Sequence, residues 1–341
     1  MVNYKAYFVA PNYSAPSWGI GMIYHLSKIS NNIGIPSLVL KIEGEPSAPN
    51  WLHLDTEVKN LFEQAPKIKP IDIVIVPELF VAHSILTKIN AIKVVLVQGG
   101  FLITQGLRGA NNYQEYGFRE AIAVMPHIKS ILTRFWPIPT SIVSPFVMDH
   151  FFCCKENLSL NNRKRQILLF PKPGYEQAGY YDYAIVISIL KKKIKQINAN
   201  ISDHNNHWSI VELQNKSHKE VALLMKESCF LINTNCFESL NATVAEAMAA
   251  GCITFCYEAY GGQDYLIDQE NAYVFKNNYV YSLLHSILDK IENYKIRSQE
   301  LSLIQVNGYH TVKQYRQERT SYELSMFYKS LHDRLKRNIN E

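Results

Sequence analysis

The sequence predicts an α/β protein built from two doubly wound domains, and three observations support this. The chain has 341 residues, more than the roughly 250–300 at which a single hydrophobic core stops growing. Continuous apolar runs alternate with segments of helical length, as is typical of strands buried in a parallel sheet. This alternation occurs twice, with an irregular stretch in between, so two Rossmann-like domains are expected.

The first half of the chain contains five short apolar runs bounded by turn residues, and each is predicted to be a strand. These strands are Tyr4–Ala10, Ser37–Lys41, Asp72–Val76, Lys93–Val97 and Ala121–Val124. A helix is predicted after the first strand, because apolar residues between positions 22 and 29 recur at helical spacing. A first domain is therefore expected over residues 1–148, followed by a linker rich in Asn, Lys and Arg over 149–165.

The alternation restarts in a second predicted domain, residues 166–308. Its predicted strands are Gln166–Phe170, Trp208–Leu213, Ser228–Asn233 and Ile253–Tyr257. Its predicted helices are Tyr181–Ile197, Lys219–Lys226, Thr243–Ala250 and Tyr279–Tyr294. Residues 309–341 are expected to be helical and to pack back toward the N-terminal domain.

The last predicted helix, Thr320–Asn340, is amphipathic and basic. Leu324, Phe327, Leu331 and Leu335 recur every three to four residues, which favours docking onto a domain. Four basic residues near its end leave an anionic membrane surface as the alternative partner; they are Lys329, Arg334, Lys336 and Arg337.

Composition excludes several classes of protein. Hydrophobic residues make up 47% and charged residues 19%, so extensive disorder is not expected. The net charge of +5 suits a phosphate-bearing small molecule but is too small and dispersed for a nucleic-acid binder. The six cysteines form no Cys-x-x-Cys pair and no Cys/His spacing typical of zinc, so buried, reduced thiols and no metal are expected.

The N-terminus suggests a cytoplasmic protein. Residues 1–12 lack the charged and apolar regions of a signal peptide. No apolar run reaches the roughly 18 residues of a membrane-spanning helix. We therefore expect a cytoplasmic location, with the inner face of a membrane as an alternative position.

The stretch 238–252, ESLNATVAEAMAAGC, carries the clearest chemical signal. Glu238 follows a predicted strand, and Glu246 lies in the helix that comes next. The N-terminus of a helix presents free amides and a positive partial charge, which suits a phosphate. Carboxylates on both sides of such amides suit a nucleotide-sugar, which has a diphosphate between two hydroxylated groups. However, Thr243 and Glu246 also match a helix capping box, with Gly251 ending the helix, and that alternative requires no ligand.

These residues resemble the donor-site signature of family-4-type retaining glycosyltransferases of the GT-B fold. The resemblance implies two Rossmann-like domains facing a central cleft, with Glu246 on the ribose hydroxyls and Glu238 on the transferred sugar. Residues 239–242 of the turn would surround the diphosphate, bound by the amides of about Leu240 to Ala242. Ser239 and Asn241 replace the usual glycines, although Asn tolerates positive φ better than most residues. Thr243 and Val244 stand where prolines are common.

The same resemblance extends to other segments. It implies that Lys172 neutralises the diphosphate, although Pro173 replaces the second usual cation. It places Asn215 and Lys216 near the nucleobase. It also extends to Gly261 and Gly262, which resemble the glycines found after the corresponding helix in one bacterial subgroup of the family.

The resemblance also assigns two segments of the first domain. Gly19 and Gly21 would lie beneath the phosphates and the acceptor, and Gln98 and Gly99 on the acceptor side. As local sequence, all four also fit a turn or a polar strand end.

The predicted function is transfer of a sugar from a nucleoside-diphosphate-sugar to a hydroxyl of a glycan or lipid-linked acceptor, with retention. No cofactor or divalent metal is expected, and a peripheral membrane contact is compatible with such an acceptor. The alternatives are a degenerate, non-catalytic GT-B partner subunit and an epimerase-like GT-B enzyme acting on nucleotide-sugars. The sequence does not determine the base, the sugar or the oligomeric state.

Overall fold

The computed structural model describes residues 4–13, 17–154, 158–170 and 180–340, with only the backbone described at 180 and 336–340. The chain divides into two compact units. Unit 1 comprises Met1–Phe146 and Gln317–Glu341, and unit 2 comprises Val147–Arg316. Each unit has its own parallel sheet flanked by helices, which confirms the predicted α/β class.

The described part of unit 1 contains a parallel sheet of seven strands in the order β3-β2-β1-β4-β5-β6-β7. Its central strands are fully buried because helices cover both faces of the sheet. This burial explains why these strands are continuous apolar runs in the sequence. The order reverses between β1 and β4, and such a reversal opens a crevice at the carboxyl ends of these two strands. The strands are β1 (Ala6–Ala10), β2 (Ser37–Lys41), β3 (Val58–Asn60), β4 (Ile73–Pro77), β5 (Ile92–Val97), β6 (Phe118–Ala123) and β7 (Thr140–Ile142).

Six described α-helices belong to unit 1. The long first helix, α1, buries the apolar side chains at 22, 23, 26 and 29 that predicted it. The helices are α1 (Trp18–Asn32), α2 (Leu61–Gln64), α3 (Ser84–Lys88), α4 (Ile103–Leu107), α5 (Pro126–Phe135) and, from the chain end, α11 (Gln317–Asn340).

Helix α11 docks onto unit 1 through its apolar side. Leu324, Phe327 and Leu331 are buried, and the Tyr328 hydroxyl lies 2.8 Å from the Ser30 hydroxyl of α1. Arg334 donates two hydrogen bonds of 2.7 Å to the carboxylate of Glu120 on β6, and Glu120 is itself buried. One of the four basic residues near the chain end is thus engaged within unit 1.

The described part of unit 2 contains a parallel sheet of five strands in the order β12-β11-β10-β8-β9. The order reverses between β8 and β10, so a ligand crevice is expected at the carboxyl ends of these strands. The strands are β8 (Lys164–Leu169), β9 (Ser209–Glu212), β10 (Ser228–Asn233), β11 (Ile253–Tyr257) and β12 (Tyr273–Phe275).

Five described α-helices cover this sheet. The core packs the strands against helices α6 and α9 in particular, with Val186 and Ile287 among its fully buried members. The helices are α6 (Tyr180–Ala199), α7 (His218–Glu227), α8 (Ala242–Ala249), α9 (Val280–Glu292) and α10 (Ser298–Val312). None of the described helices is both long and apolar enough to cross a bilayer.

Arg163, which lies in the predicted linker, caps the C-terminal ends of two helices in unit 2. Its guanidinium donates hydrogen bonds to the carbonyls of Met225 (3.1 Å) and Ser228 (2.8 Å), at the end of α7. It also donates to the carbonyl of Ala250 (2.6 Å), at the end of α8. The buried arginine therefore satisfies carbonyls that lack partners within their own helices.

The structure adds three strands that the sequence analysis missed. Strands β3, β7 and β12 have three residues each and lie at sheet edges, where they are only partly buried. Such short edge strands need no continuous apolar run, so periodicity does not reveal them. The cysteines agree with expectation: all six are free, and only Cys154 is exposed.

Candidate functional site

The predicted donor segment follows the carboxyl end of β10, beside the point where the strand order of unit 2 reverses. The chain from Asn233 to Asn241 is mostly buried, but Glu238 is partly accessible and Phe237 is half exposed. The sheet topology thus places this turn where doubly wound folds bind their ligands.

Helix α8 begins differently from the capping box that Thr243 and Glu246 suggested. The helix starts at Ala242, and its N-cap is Asn241, which has a φ of 56° and makes no side-chain capping bond. The capping-box alternative is therefore wrong, because Thr243 already lies inside the first turn. Asn241 adopts the left-handed conformation that asparagine tolerates, which explains how the turn forms without the usual glycine.

The other end of α8 follows the prediction. Gly251 has a φ of 80°. Its N–H donates to the carbonyl of Met248 (3.0 Å), and that of Cys252 donates to the carbonyl of Ala247 (2.8 Å). These two bonds form a Schellman motif, which requires a residue in the left-handed conformation.

Free backbone donors surround the start of α8. Within the described chain, no hydrogen-bond acceptor contacts the backbone N–H groups of Leu240, Asn241, Ala242 or Thr243. Ala242 and Thr243 are partly accessible. Four donors at the positive end of a helix are suited to an anion with several oxygens, such as a phosphate.

Glu246 is a buried carboxyl group in the second turn of α8. Its residue is only 8% exposed, and its side chain makes no hydrogen bond or ion pair with any described residue. Burial alone raises the pKa of Glu246 to about 8. A buried carboxyl group without a partner is costly, and ligand hydroxyls would satisfy it.

Glu238 is held in place through both its side chain and its backbone. Its Oε1 accepts a hydrogen bond from Nδ2 of Asn235. Its carbonyl accepts the N–H of Gly261 at 3.0 Å. Neither contact could be inferred from the spacing of residues along the chain.

The loop that follows β11 presses against this turn. A Cβ on Gly261 would lie 1.2 Å from the carbonyl oxygen of Ser239, so only glycine fits there. The hydroxyl of Tyr265 donates to the carbonyl of Leu240 at 2.7 Å. Gly261, the first glycine of the pair at 261–262, therefore shapes the predicted donor turn, residues 234–241, which is called the donor turn below.

Three other residues were predicted at the donor site. Lys172 lies outside the described residues. Asn215 and Lys216 are exposed in the loop between β9 and α7, and Asn215 has a φ of 51°. This loop follows β9, which is separated from β10 by β8 in the same parallel sheet, so it lies at the same carboxyl edge.

In unit 1, the structure joins two of the predicted segments. Gly19 and Gly21 lie in the first turn of α1, the helix that comes after β1 in the chain. Nε2 of Gln98 donates to the carbonyl of Gly19 at 2.8 Å. Gln98 and Gly99 follow the end of β5, so the predicted glycine turn and the predicted acceptor-side residues form one cluster within unit 1.

A buried carboxyl group that the sequence did not predict also lies at this cluster. Glu78 follows β4 and is 2% exposed. Its Oε1 accepts the backbone N–H groups of Gln98 (3.1 Å) and Gly99 (2.7 Å). Burial raises the pKa of Glu78 to about 7, although these bonds oppose the rise. Its position after a buried strand was the available signal, the same one that pointed to Glu238.

No group of three or more His, Cys, Asp or Glu side chains suited to a metal ion occurs among the residues that the structure describes.

Comparison with known proteins gives the chain its class. Residues 182–302, within unit 2, match the family described as Glycosyl transferases group 1. This segment contains the donor turn and α8. No curated protein matches the chain in sequence.

Solved structures of similar fold cover nearly the whole chain. A glycosyltransferase from Rickettsia africae has a TM-score of 0.60 at 15% identity and covers 96% of this chain and 98% of its own. HepE from Anabaena, solved with UDP-glucose, has a TM-score of 0.68 at 12% identity, covering 96% and 99%. The pneumococcal O-GlcNAc transferase GtfA, solved with UDP and GlcNAc, has a TM-score of 0.62 at 10% identity, covering 98% and 100%. At these identities the likeness concerns the fold. Together with the family match over residues 182–302, it indicates a glycosyltransferase of the GT-B fold.

Proposed function

We propose that this enzyme transfers a sugar from a nucleoside-diphosphate-sugar to a hydroxyl group of a glycan or lipid-linked acceptor, with retention, as in family-4-type glycosyltransferases. The observation that carries the proposal is the start of α8, where free N–H groups at 240–243 lie between Glu238 and Glu246. The amides suit a diphosphate, and the two carboxyl groups suit hydroxyls on either side of it. Solved neighbours with UDP or UDP-glucose in their structures support this class of donor.

In the proposed reaction, the acceptor oxygen bonds to the anomeric carbon as the bond from that carbon to the diphosphate breaks. The acceptor hydroxyl proton passes to the departing phosphate, so no separate base or cofactor is needed. The α8 amides stabilise the charge that develops on the diphosphate, which is the principal electrostatic contribution. Glu238 positions the sugar, Lys172 adds a positive charge, and Gln98 with Gly99 contacts the acceptor.

The donor class can be tested by thermal shift. The full chain is heated with UDP-, GDP- and dTDP-glucose and with the matching free nucleosides. We expect one base to raise the melting temperature, and the diphosphate-sugar to raise it more than its nucleoside. A chain that none of these compounds stabilises would contradict the proposed donor.

The role of Glu246 can be tested by calorimetry with Glu246→Gln. Two ribose hydroxyls need two acceptor oxygens, and glutamine offers one, so nucleoside diphosphate should bind about 10-fold or more weakly. Because the free carboxyl group has a pKa of about 8, accepting two hydroxyls should also release a proton near pH 7 in the wild type only. Buffers of different ionisation enthalpy measure that release, and Glu270→Gln, an exposed change in the same unit, is the control. Equal affinity and no proton release in the wild type would refute the ribose role.

Turnover and stereochemistry need a separate measurement. The purified chain should slowly hydrolyse the donor that binds, releasing free nucleoside diphosphate, and NMR of the first product should show a retained anomeric configuration. Binding without any release would instead identify a non-catalytic GT-B subunit. An inverted product would still be consistent with transferase activity but would contradict the retaining, family-4-type mechanism.

A further inference from the structure

A short network of asparagine side chains lies behind the donor turn of unit 2. Asn233 is the last residue of β10, Asn235 follows in the turn, and Asn241 caps α8. These three asparagines are 2%, 8% and 2% exposed to solvent, respectively. Buried side-chain amides are retained where they hold other polar groups in place.

We propose that Asn235 and Asn233 are positioning residues that fix the orientation of the Glu238 carboxylate toward the transferred sugar. The inference rests on the proposed function, because it gives Glu238 its task. Nδ2 of Asn235 donates to Oε1 of Glu238, which restricts rotation of the carboxylate about its last side-chain bond. Glu238 remains partly accessible, so a sugar can reach a group whose geometry is already set.

The backbone determines which way each amide in this network points. The N–H of Asn235 can only donate, and it donates to the side-chain oxygen of Asn233 at 2.8 Å. Asn233 must therefore present its Nδ2 on the other side, where it donates to Oδ1 of Asn241 at 3.2 Å. The Asn233 side chain thus links Asn235, in the turn that contains Glu238, to Asn241, the N-cap residue of α8. One buried side chain sets the spacing between the sugar carboxylate and the diphosphate amides.

The backbone of Glu238 is fixed independently, by the N–H of Gly261. Removing the amide of Asn235 should therefore leave the turn in place and take away a contact that orients the carboxylate. A misoriented Glu238 carboxylate should lower kcat alone, whereas a disrupted turn should also weaken nucleotide binding. Tyr265 is a titratable neighbour of Glu238, and burial raises its pKa well above the usual value, with smaller contributions from Cys256, Tyr315 and Glu238, so it stays neutral throughout the test.

The test compares Asn235→Ala with Asn235→Asp, using the nucleoside-diphosphate-glucose that stabilises the wild type. Asn235→Ala should lower kcat for donor turnover about 10-fold or more while changing the affinity for nucleoside diphosphate less than twofold. Asn235→Asp places a second carboxylate against Glu238, and two adjacent carboxyl groups share one proton at lower pH. The shared proton restores the missing hydrogen bond. The activity of Asn235→Asp should therefore recover toward the wild type as the pH falls from about 8 to about 5, whereas that of Asn235→Ala should not.

Asn200→Asp is the matched control, since it makes the same chemical change at an exposed position of unit 2 and should keep the wild-type pH profile. An unchanged kcat in Asn235→Ala, or parallel pH profiles for the two Asn235 variants, would overturn the positioning role. A wild type that binds and hydrolyses no donor would instead refute the proposed function itself. If Asn235→Ala also loses nucleotide affinity and melts much earlier, Asn235 supports the turn as a whole, and the proposal is wrong.

Discussion

The stability of unit 2 should depend on pH through Glu246, and Glu246→Gln tests this directly. Burial raises the pKa of this carboxyl group from 4.5 to about 8. Between these two values the folded chain retains a proton that the unfolded chain has released. The free energy of unfolding should therefore fall as the pH rises through this window.

The magnitude follows from the size of the pKa shift. Each pH unit inside the window costs at most about 1.4 kcal/mol, so the wild type should lose about 3 kcal/mol between pH 5 and pH 8. Glutamine is isosteric and does not titrate, so the Glu246→Gln variant lacks this contribution. The variant should match the wild type near pH 5 and be more stable by about 3 kcal/mol near pH 8.

Urea denaturation followed by circular dichroism, without nucleotide, gives the two free energies at each pH. Glu78 also carries a raised pKa, but it is present in both proteins and cancels in the difference. Glu270→Gln should show no pH-dependent difference from the wild type. If the difference for Glu246→Gln is constant from pH 5 to pH 8, the carboxyl group ionises normally, and its inferred environment is wrong.

Three further substitutions test contacts that hold the fold and the site. Gly261→Ala should destabilise the chain by about 3 kcal/mol or more and abolish nucleotide binding, because the new Cβ would overlap a carbonyl oxygen of the donor turn. Gly262→Ala is its control: its Cβ would lie 3.1 Å from the side chain of Leu266, and none of its nearest neighbours is a backbone atom, so a similar loss of binding would contradict the explanation. Arg163→Met should cost about 3 kcal/mol in urea denaturation, because the Ala250 carbonyl loses its donor and the carbonyls at the end of α7 keep only the Cys252 thiol; an unchanged midpoint would show that water replaces the guanidinium. Arg334→Ala should cost about 3 kcal/mol by leaving the buried Glu120 without its partner, and adding Glu120→Leu should recover much of that loss, which a purely steric role for Arg334 would not allow.

Local sequence was sufficient for the main elements of both sheets. Strands such as β4 and β10 are apolar along their whole length, because both faces of a parallel sheet are covered. The left-handed conformation of Asn241 was compatible with the residue type, and that of Gly251 was predicted. The edge strands were missed, because a half-buried strand of three residues has no distinctive pattern.

The capping box shows where a local pattern misleads. The letters Thr-x-x-Glu are the same whether the glutamate caps the helix or points into the protein. The structure starts α8 one residue before Thr243 and buries Glu246. The path of the turn decides between these outcomes, and contacts from residues 261 and 265, distant in sequence, determine that path.

The sequence by itself determined the α/β class, the alternation of elements and the position of Glu238 after a buried strand, because these depend on residue type and spacing. Only the tertiary structure decided which carboxyl groups lie in an unusual environment. Glu246 and Glu78 have raised pKa values because other segments of the chain exclude water from them. Likewise, Asn235 is significant only because the fold of the turn brings it against Glu238. Burial and orientation depend on contacts between distant segments, and no local window of sequence contains them.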